Sequence, residues 1–173
     1  LGIRVLPAPG ANARGVAELT IALILALLRS IPYSDAVLKA EEWKRRKGAE
    51  VLGRTLGLIG CGDIGKLVAQ MAAALGMKVV AFRRHPDHSF RPEGFRWASQ
   101  EEVFAQAEVI SLHCPSSGKP VIDQQSLASM RKGVFVVNTA RADLVDEEAL
   151  LKALDGGHVA GYATDVYLKE PPQ

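Results

Sequence analysis

The stretch LGLIGCGDIG, residues 56–65, joins a five-residue apolar run to three glycines spaced as GxGxxG. A run without polar alternation fits a strand covered on both faces, as in a parallel sheet with helices on either side. Gly60 permits the tight turn out of the strand, Gly62 lets the backbone approach a pyrophosphate, and Gly65 lets the following helix pack close. The N–H groups of Gly62, Asp63 and Ile64 then point at phosphate oxygens, with the helix dipole behind them. The glycine pattern alone is weak. Its place directly after a strand and at the opening of a helix makes it a dinucleotide-binding expectation rather than an incidental turn.

Downstream the pattern alternates. Residues 63–75 read as a helix rich in alanine and leucine, MKVVAF (77–82) as the next strand and FRWA (95–98) as a weaker third. Ser99 then opens SQEE, where the serine caps a helix and Glu102 reaches back to form a capping box. VISLHC (109–114), VFVVNT (134–139) and VAGYATDV (159–166) supply three more apolar strands, separated by helices near 126–130 and 147–154. Such alternation predicts an α/β fold: a doubly wound parallel sheet of the Rossmann type, in three α/β/α layers. There is no internal repeat and no low-complexity segment.

Upstream, residues 3–6 read as a short extended stretch cut off by Pro7, Pro9 and Gly10. A helix is expected over 13–29, ended by Pro32, and a second over 35–46. The first is apolar on most faces, so it is expected to be buried against the domain or against another subunit.

Composition narrows the class. The chain has 173 residues, enough for one domain with a sizeable core, and is 48% hydrophobic and 23% charged. Its 21 basic and 19 acidic side chains leave a net charge of +2, which makes no general case for nucleic acid or an acidic membrane as partner. KRRK at 44–47 reads as solvated surface. The longest apolar run, LTIALILALL at 19–28, is too short to span a bilayer, and with Glu18 before it and no cleavage pattern after it, it is no signal peptide. Cys61 and Cys114 form no disulfide framework and have no metal-ligand spacing, so reduced thiols in a cytoplasmic protein without a metal are expected. A start at Leu1 rather than methionine and an end at EPPQ read as an excised piece.

The end of the second strand bears on the cofactor. An acid is expected there to bind the adenosine ribose and repel a 2′-phosphate, whereas an arginine accommodates that phosphate. Here Phe82 is followed by Arg83 and Arg84. Two guanidinium groups fork onto one phosphate with charge-assisted bonds, so NADP(H) is favoured, with NAD(H) possible. The alternative, two surface arginines with the ribose held otherwise, stays open.

Three further stretches carry a resemblance. PAPGANARGVAEL (7–19), VNTARADLVDEEAL (137–150) and AGYATDVYLKEPP (160–172) are similar, in order and spacing, to the nucleotide-binding domain of the D-isomer-specific 2-hydroxyacid dehydrogenases, the family of phosphoglycerate dehydrogenase, glyoxylate/hydroxypyruvate reductase and D-lactate dehydrogenase. The resemblance covers nearly the whole chain. It implies hydride transfer between a nicotinamide cofactor and a small 2-oxo or 2-hydroxy acid. It implies that Arg141 binds the substrate carboxylate and polarises the carbonyl, a task that suits a guanidinium. It implies that Glu170 pairs with a catalytic histidine and keeps it protonated. Asp165 matches a position near the nicotinamide carboxamide, Asn12 one lining the cleft, and His113, Cys114, Pro115, Thr139 and Ala140 match cofactor-facing loops. The whole chain, 1–173, is then one dinucleotide-binding domain, with 1–50 a hinge and dimerisation segment and 51–173 the Rossmann core; a homodimer is expected.

The departures are specific. Ala142 stands where the family has glycine after Arg141, which is expected to restrict the backbone there. CPSSGKPVI (114–122) is about two residues shorter than the usual loop. The family's catalytic histidine lies beyond the glutamate and outside this chain, as does the substrate domain; His85, His88, His113 and His158 match none of its positions. Two rival readings follow from the same resemblance: a cofactor-sensing co-repressor module of the C-terminal-binding-protein type, and a formate-dehydrogenase-like relative.

Overall fold

The structure, a computed structural model, describes Arg4 and residues 6–171. All but Arg4 and Leu6 of the extended stretch expected over 3–6 lie outside the described residues.

Six parallel strands form one sheet: β1 (Thr55–Ile59), β2 (Lys78–Phe82), β3 (Phe95–Trp97), β4 (Val109–Leu112), β5 (Val134–Asn138) and β6 (Val159–Thr164), in the order β3-β2-β1-β4-β5-β6. That order places the reversal of winding between β1 and β4, where Leu56 is paired with Val79 on one side and Val109 on the other. A crevice opens at such a point beyond the carboxyl ends of the strands.

Alternation along the strands divides the core. Leu56, Leu58, Val79, Ala81, Val109 and Val137 face α1 (Ala13–Leu28) and α3 (Asp63–Ala74). Ile59, Val80, Ile110, Leu112, Val134 and Val136 face α4 (Gln100–Gln106), α5 (Gln124–Ser129) and α6 (Glu147–Asp155). The result is the three-layer α/β/α sandwich. The expected capping box is present, with Glu102 N–H donating to Ser99 Oγ at 3.1 Å and Ser99 N–H to Glu102 Oε2 at 2.9 Å. A second one, between Asp123 and Ser126, starts α5.

The N-terminal expectations need correction. Pro32 does not end α1, which stops at Leu28; it lies in the first turn of α2 (Ile31–Lys39), where a missing N–H costs nothing because that turn has no intrahelical acceptor for it. The break is made by Ser30, which takes the left-handed conformation. The second helix therefore starts and ends earlier than 35–46. Glu41 is left-handed too, and beyond it Arg45 stacks over Trp43 and Arg46 over Tyr33 instead of continuing the helix. Within this chain α1 is covered along one face. Ala13, Ala17, Thr20, Ile24 and Leu28 are buried at helical spacing, while Leu19 on another face keeps 39% of its surface exposed. Among the described residues no single helix is long and apolar enough to cross a membrane.

Candidate functional site

The turn after β1 is fixed by contact with β4. Gly60 has φ +96°, and a Cβ there would fall 2.4 Å from the His113 carbonyl oxygen and 2.7 Å from the Cys114 nitrogen. No other residue fits. A Cβ at Gly65 would lie 2.6 Å from the Gly60 oxygen, so α3 starts as close to the turn as backbone allows. Gly62 differs, because a Cβ there meets nothing within 4 Å. Its carbonyl accepts the Lys66 N–H at 2.9 Å, the first bond of α3. The N–H groups at the start of the helix are thus left over for a ligand, with the dipole favouring an anion.

Over this turn lies a cavity of about 550 Å³. Gly60, Gly62, Arg83, Arg84, His113, Cys114 and Pro115 all line it, drawn from the ends of β1, β2 and β4. That volume suits a small-molecule or cofactor site. Asp63, Ile64 and Gly65 form the first turn of α3 beneath it. Arg83 Nη1 donates to the Cys61 carbonyl at 3.3 Å, and neither Arg83 nor Arg84 is in an ion pair among the described residues. A further cleft of about 500 Å³ between α5 and α6 lies away from these strand ends, and its His158 is committed to the Leu127 carbonyl at 2.8 Å.

His113 is a packed histidine in the cavity wall. Its Nε2 pairs with Ser111 Oγ at 2.9 Å, while Nδ1 is buried without a partner. Burial lowers its pKa to about 4, so the ring is neutral at pH 7. Cys61 is pushed up to about 11 by burial and Cys114 is raised for the same reason, so neither is a poised thiolate. The His113 shift has a measurable consequence. An unfolded histidine binds a proton below about pH 6.5, whereas the folded one resists until about 4, so stability is full above pH 6.5 and declines as acid is added towards pH 4. The share due to His113 is about 2–3 kcal/mol between pH 7 and 4.5. Denaturant unfolding of His113→Asn should lose that much less over the same interval; equal losses in both proteins would refute the assignment.

A second group of residues gathers farther along the same edge. Thr139, Ala140 and Arg141 follow β5, and Asp165 and Glu170 follow β6; all five come after the C-terminal end of their strand. Buried Asn138 shapes the turn, its Nδ2 donating to the Arg141 carbonyl at 2.8 Å and its Oδ1 accepting from the Ala140 N–H at 3.1 Å. Thr139 Oγ1 and Thr20 Oγ1 are 2.9 Å apart and tie α1 to the end of β5. Arg141 is exposed, with Nη1 donating to the Ala140 carbonyl at 2.6 Å. Ala142 opens a 3-10 turn (Ala142–Leu144) without positive φ, a conformation in which an alanine is unstrained. Asp165 and Glu170 are exposed, and Glu170 Oε1 accepts a long bond from the Tyr167 N–H at 3.4 Å. Asn12 precedes α1 without capping it, and the neighbouring Gly10 lies against the Asp63 carboxylate.

Sequence reasoning passed over Gln100, Ser116, Ser117 and Val121, which also line the cavity. Gln100 sits one residue past the capping serine, a signal that marked a helix start but not its proximity to β2. Ser116 donates to Asp143, across 27 residues, and no local pattern announces that pairing. Among the described residues no three metal-ligating side chains cluster.

Residues 21–173 match the model of the "D-isomer specific 2-hydroxyacid dehydrogenase, NAD binding domain" family. The chain is 42% identical over 175 residues to a hydroxypyruvate reductase of Thermotoga maritima, covering 99% of this chain and 56% of that protein. It is 41% identical over 175 residues to a D-3-phosphoglycerate dehydrogenase of Mycobacterium bovis, covering 98% and 33% respectively. Among solved structures, D-lactate dehydrogenase from Aquifex aeolicus, complexed with NAD and lactic acid, superposes with a TM-score of 0.88 at 32% identity, over 94% of this chain and 50% of that one. The chain thus spans between a third and somewhat over half of the length of these relatives.

Proposed function

This chain belongs to the D-isomer-specific 2-hydroxyacid dehydrogenase family and carries its NAD-binding domain, and from that premise we propose that it holds NADP(H) in preference to NAD(H) for reduction of a small 2-oxo acid. Binding of a nicotinamide dinucleotide follows from the family; the preference rests on Arg83 and Arg84. Both line the cavity where β2 ends, and among the described residues no carboxylate lines it. The residues present fit the cofactor: an open space above Gly62, free helix-start N–H groups, and an unpartnered His113 Nδ1 in the wall.

When bound, the reduced nicotinamide supplies the hydride. Arg141 holds the substrate carboxylate by a forked pair of bonds and stabilises charge on the carbonyl oxygen. Glu170 supports the proton donor, Asp165 and the 139–140 turn orient the carboxamide, and Asn12 borders the cleft. We further propose a homodimer through the partly exposed face of α1 that carries Leu19, with residues 1–50 as hinge and dimerisation segment, and a cytoplasmic setting in keeping with two free thiols.

Titration of the chain should give an NADPH affinity roughly ten- to a hundredfold above that for NADH, the expected yield of one or two partly exposed charge-assisted contacts. The ratio should fall as salt rises. Equal affinities, or a preference unchanged in Arg83→Asp, would overturn the reading.

A further inference from the structure

The loop from 83 to 94 that carries the two cavity arginines also carries a carboxylate, Asp87, three and four residues beyond them. Left to itself, an acid so close in sequence is a natural partner for a guanidinium. Here it is engaged elsewhere. Asp87 Oδ2 accepts from Lys66 Nζ at 2.5 Å, and Oδ1 accepts from the Ser89 N–H at 3.1 Å and Ser89 Oγ at 2.6 Å. Lys66 stands in α3, one residue beyond the last glycine of the phosphate turn, and its ammonium also lies 5.5 Å from the Phe90 ring centre. The lysine therefore grips the loop at two points, and both ends of the ion pair are more than half withdrawn from water. Bonds from Lys66 and Ser89 hold the Asp87 carboxyl below the usual carboxylate range.

We propose that Lys66 is a specificity-determining positioning residue: by holding Asp87 against α3 it keeps Arg83 and Arg84 unpaired for the 2′-phosphate of NADP(H). The inference rests on the cofactor preference proposed above. Without Lys66 the carboxylate is released, pairs with an arginine, and places negative charge where the phosphate binds. NADH presents only a hydroxyl there and loses little.

The test is titration of the 173-residue chain and its variants with NADPH, NADH, 2′,5′-ADP and 5′-AMP. Lys66→Met should weaken NADPH and 2′,5′-ADP about tenfold while NADH and 5′-AMP stay within about twofold, and Lys66→Arg should resemble the parent. The double variant Lys66→Met with Asp87→Asn should recover NADPH binding to within about threefold, because the carboxylate that did the harm is gone. If the double variant stays as weak as Lys66→Met, Lys66 acts by touching the phosphate or shaping the loop, and the proposal fails. If the parent prefers NADPH but Lys66→Met is unchanged, the proposal fails alone. A parent without any NADPH preference removes the cofactor reading itself, and this inference with it.

Discussion

Turnover by the 173-residue chain is expected at background with NADPH and glyoxylate, hydroxypyruvate or pyruvate, although the same preparation binds the dinucleotide. Reduction of a 2-oxo acid needs a hydride donor, a group that polarises the carbonyl and an acid for the nascent alkoxide. For the first two, the proposed function relies on the glycine turn and Arg141. The four histidines fail as the third on geometry and charge. His85 and His88 follow β2, three strand positions from β5 in the sheet, or about 14 Å at the usual spacing between strands. His158 precedes β6 at the opposite edge and is bonded to Leu127. His113 follows β4, the neighbour of β5, but burial lowers its pKa to about 4, so it carries no imidazolium proton at pH 7.

Glu170 is exposed, accepts only a long bond from the Tyr167 amide and is in no ion pair among the described residues. A positioned acid–base group contributes roughly a hundred- to ten-thousandfold, and its loss alone removes most of the rate. The assay is NADPH oxidation beside a binding control on the same sample. Clear turnover that Arg141→Ala abolishes would show that a residue of this chain donates the proton.

How far the sequence carried this picture depended on whether each feature is local. Five of the six strands announce themselves as apolar runs, because a strand covered on both faces has no polar side to show, while the edge strand β3 carries the exposed Arg96 and reads more weakly; each lies within two residues of its expected bounds. GxGxxG carried the turn because its glycines stand at a fixed short spacing directly after a strand, although the contact that demands Gly60 comes from His113, 53 residues away. The α1–α2 break did not show, since Pro32 is equally at home after one helix and in the first turn of the next; the left-handed Ser30 decides between them. Contacts that cross the fold were silent for another reason. Thr20 with Thr139 and Lys66 with Asp87 join elements 119 and 21 residues apart, and neither member of either pair breaks the pattern of its own segment. Such pairs become visible only when the strand order is known.

That same contrast between local and distant constraint gives the second large effect. Gly60 and Gly62 stand two residues apart, yet substitution should separate fold from ligand. Alanine at Gly60 must adopt φ near +96° and put a methyl 2.4 Å from the His113 oxygen, so β1 and β4 have to part and the domain should lose much of its stability. Gly62 has φ −85° and ψ −151°, which any residue adopts, and its missing side chain faces open space. Gly62→Val should therefore fold and melt much like the parent. Its branched side chain nevertheless occupies the space over the α3 N-terminus through which a pyrophosphate reaches the backbone N–H groups. Losing two such contacts to an anion, at about 1.5 kcal/mol each, predicts dinucleotide affinity roughly a hundredfold weaker. Thermal unfolding and NADPH titration on the same two variants check both halves. If Gly62→Val binds like the parent, the phosphates do not lie on this turn; if it unfolds as Gly60→Ala does, the space above Gly62 is not open in solution.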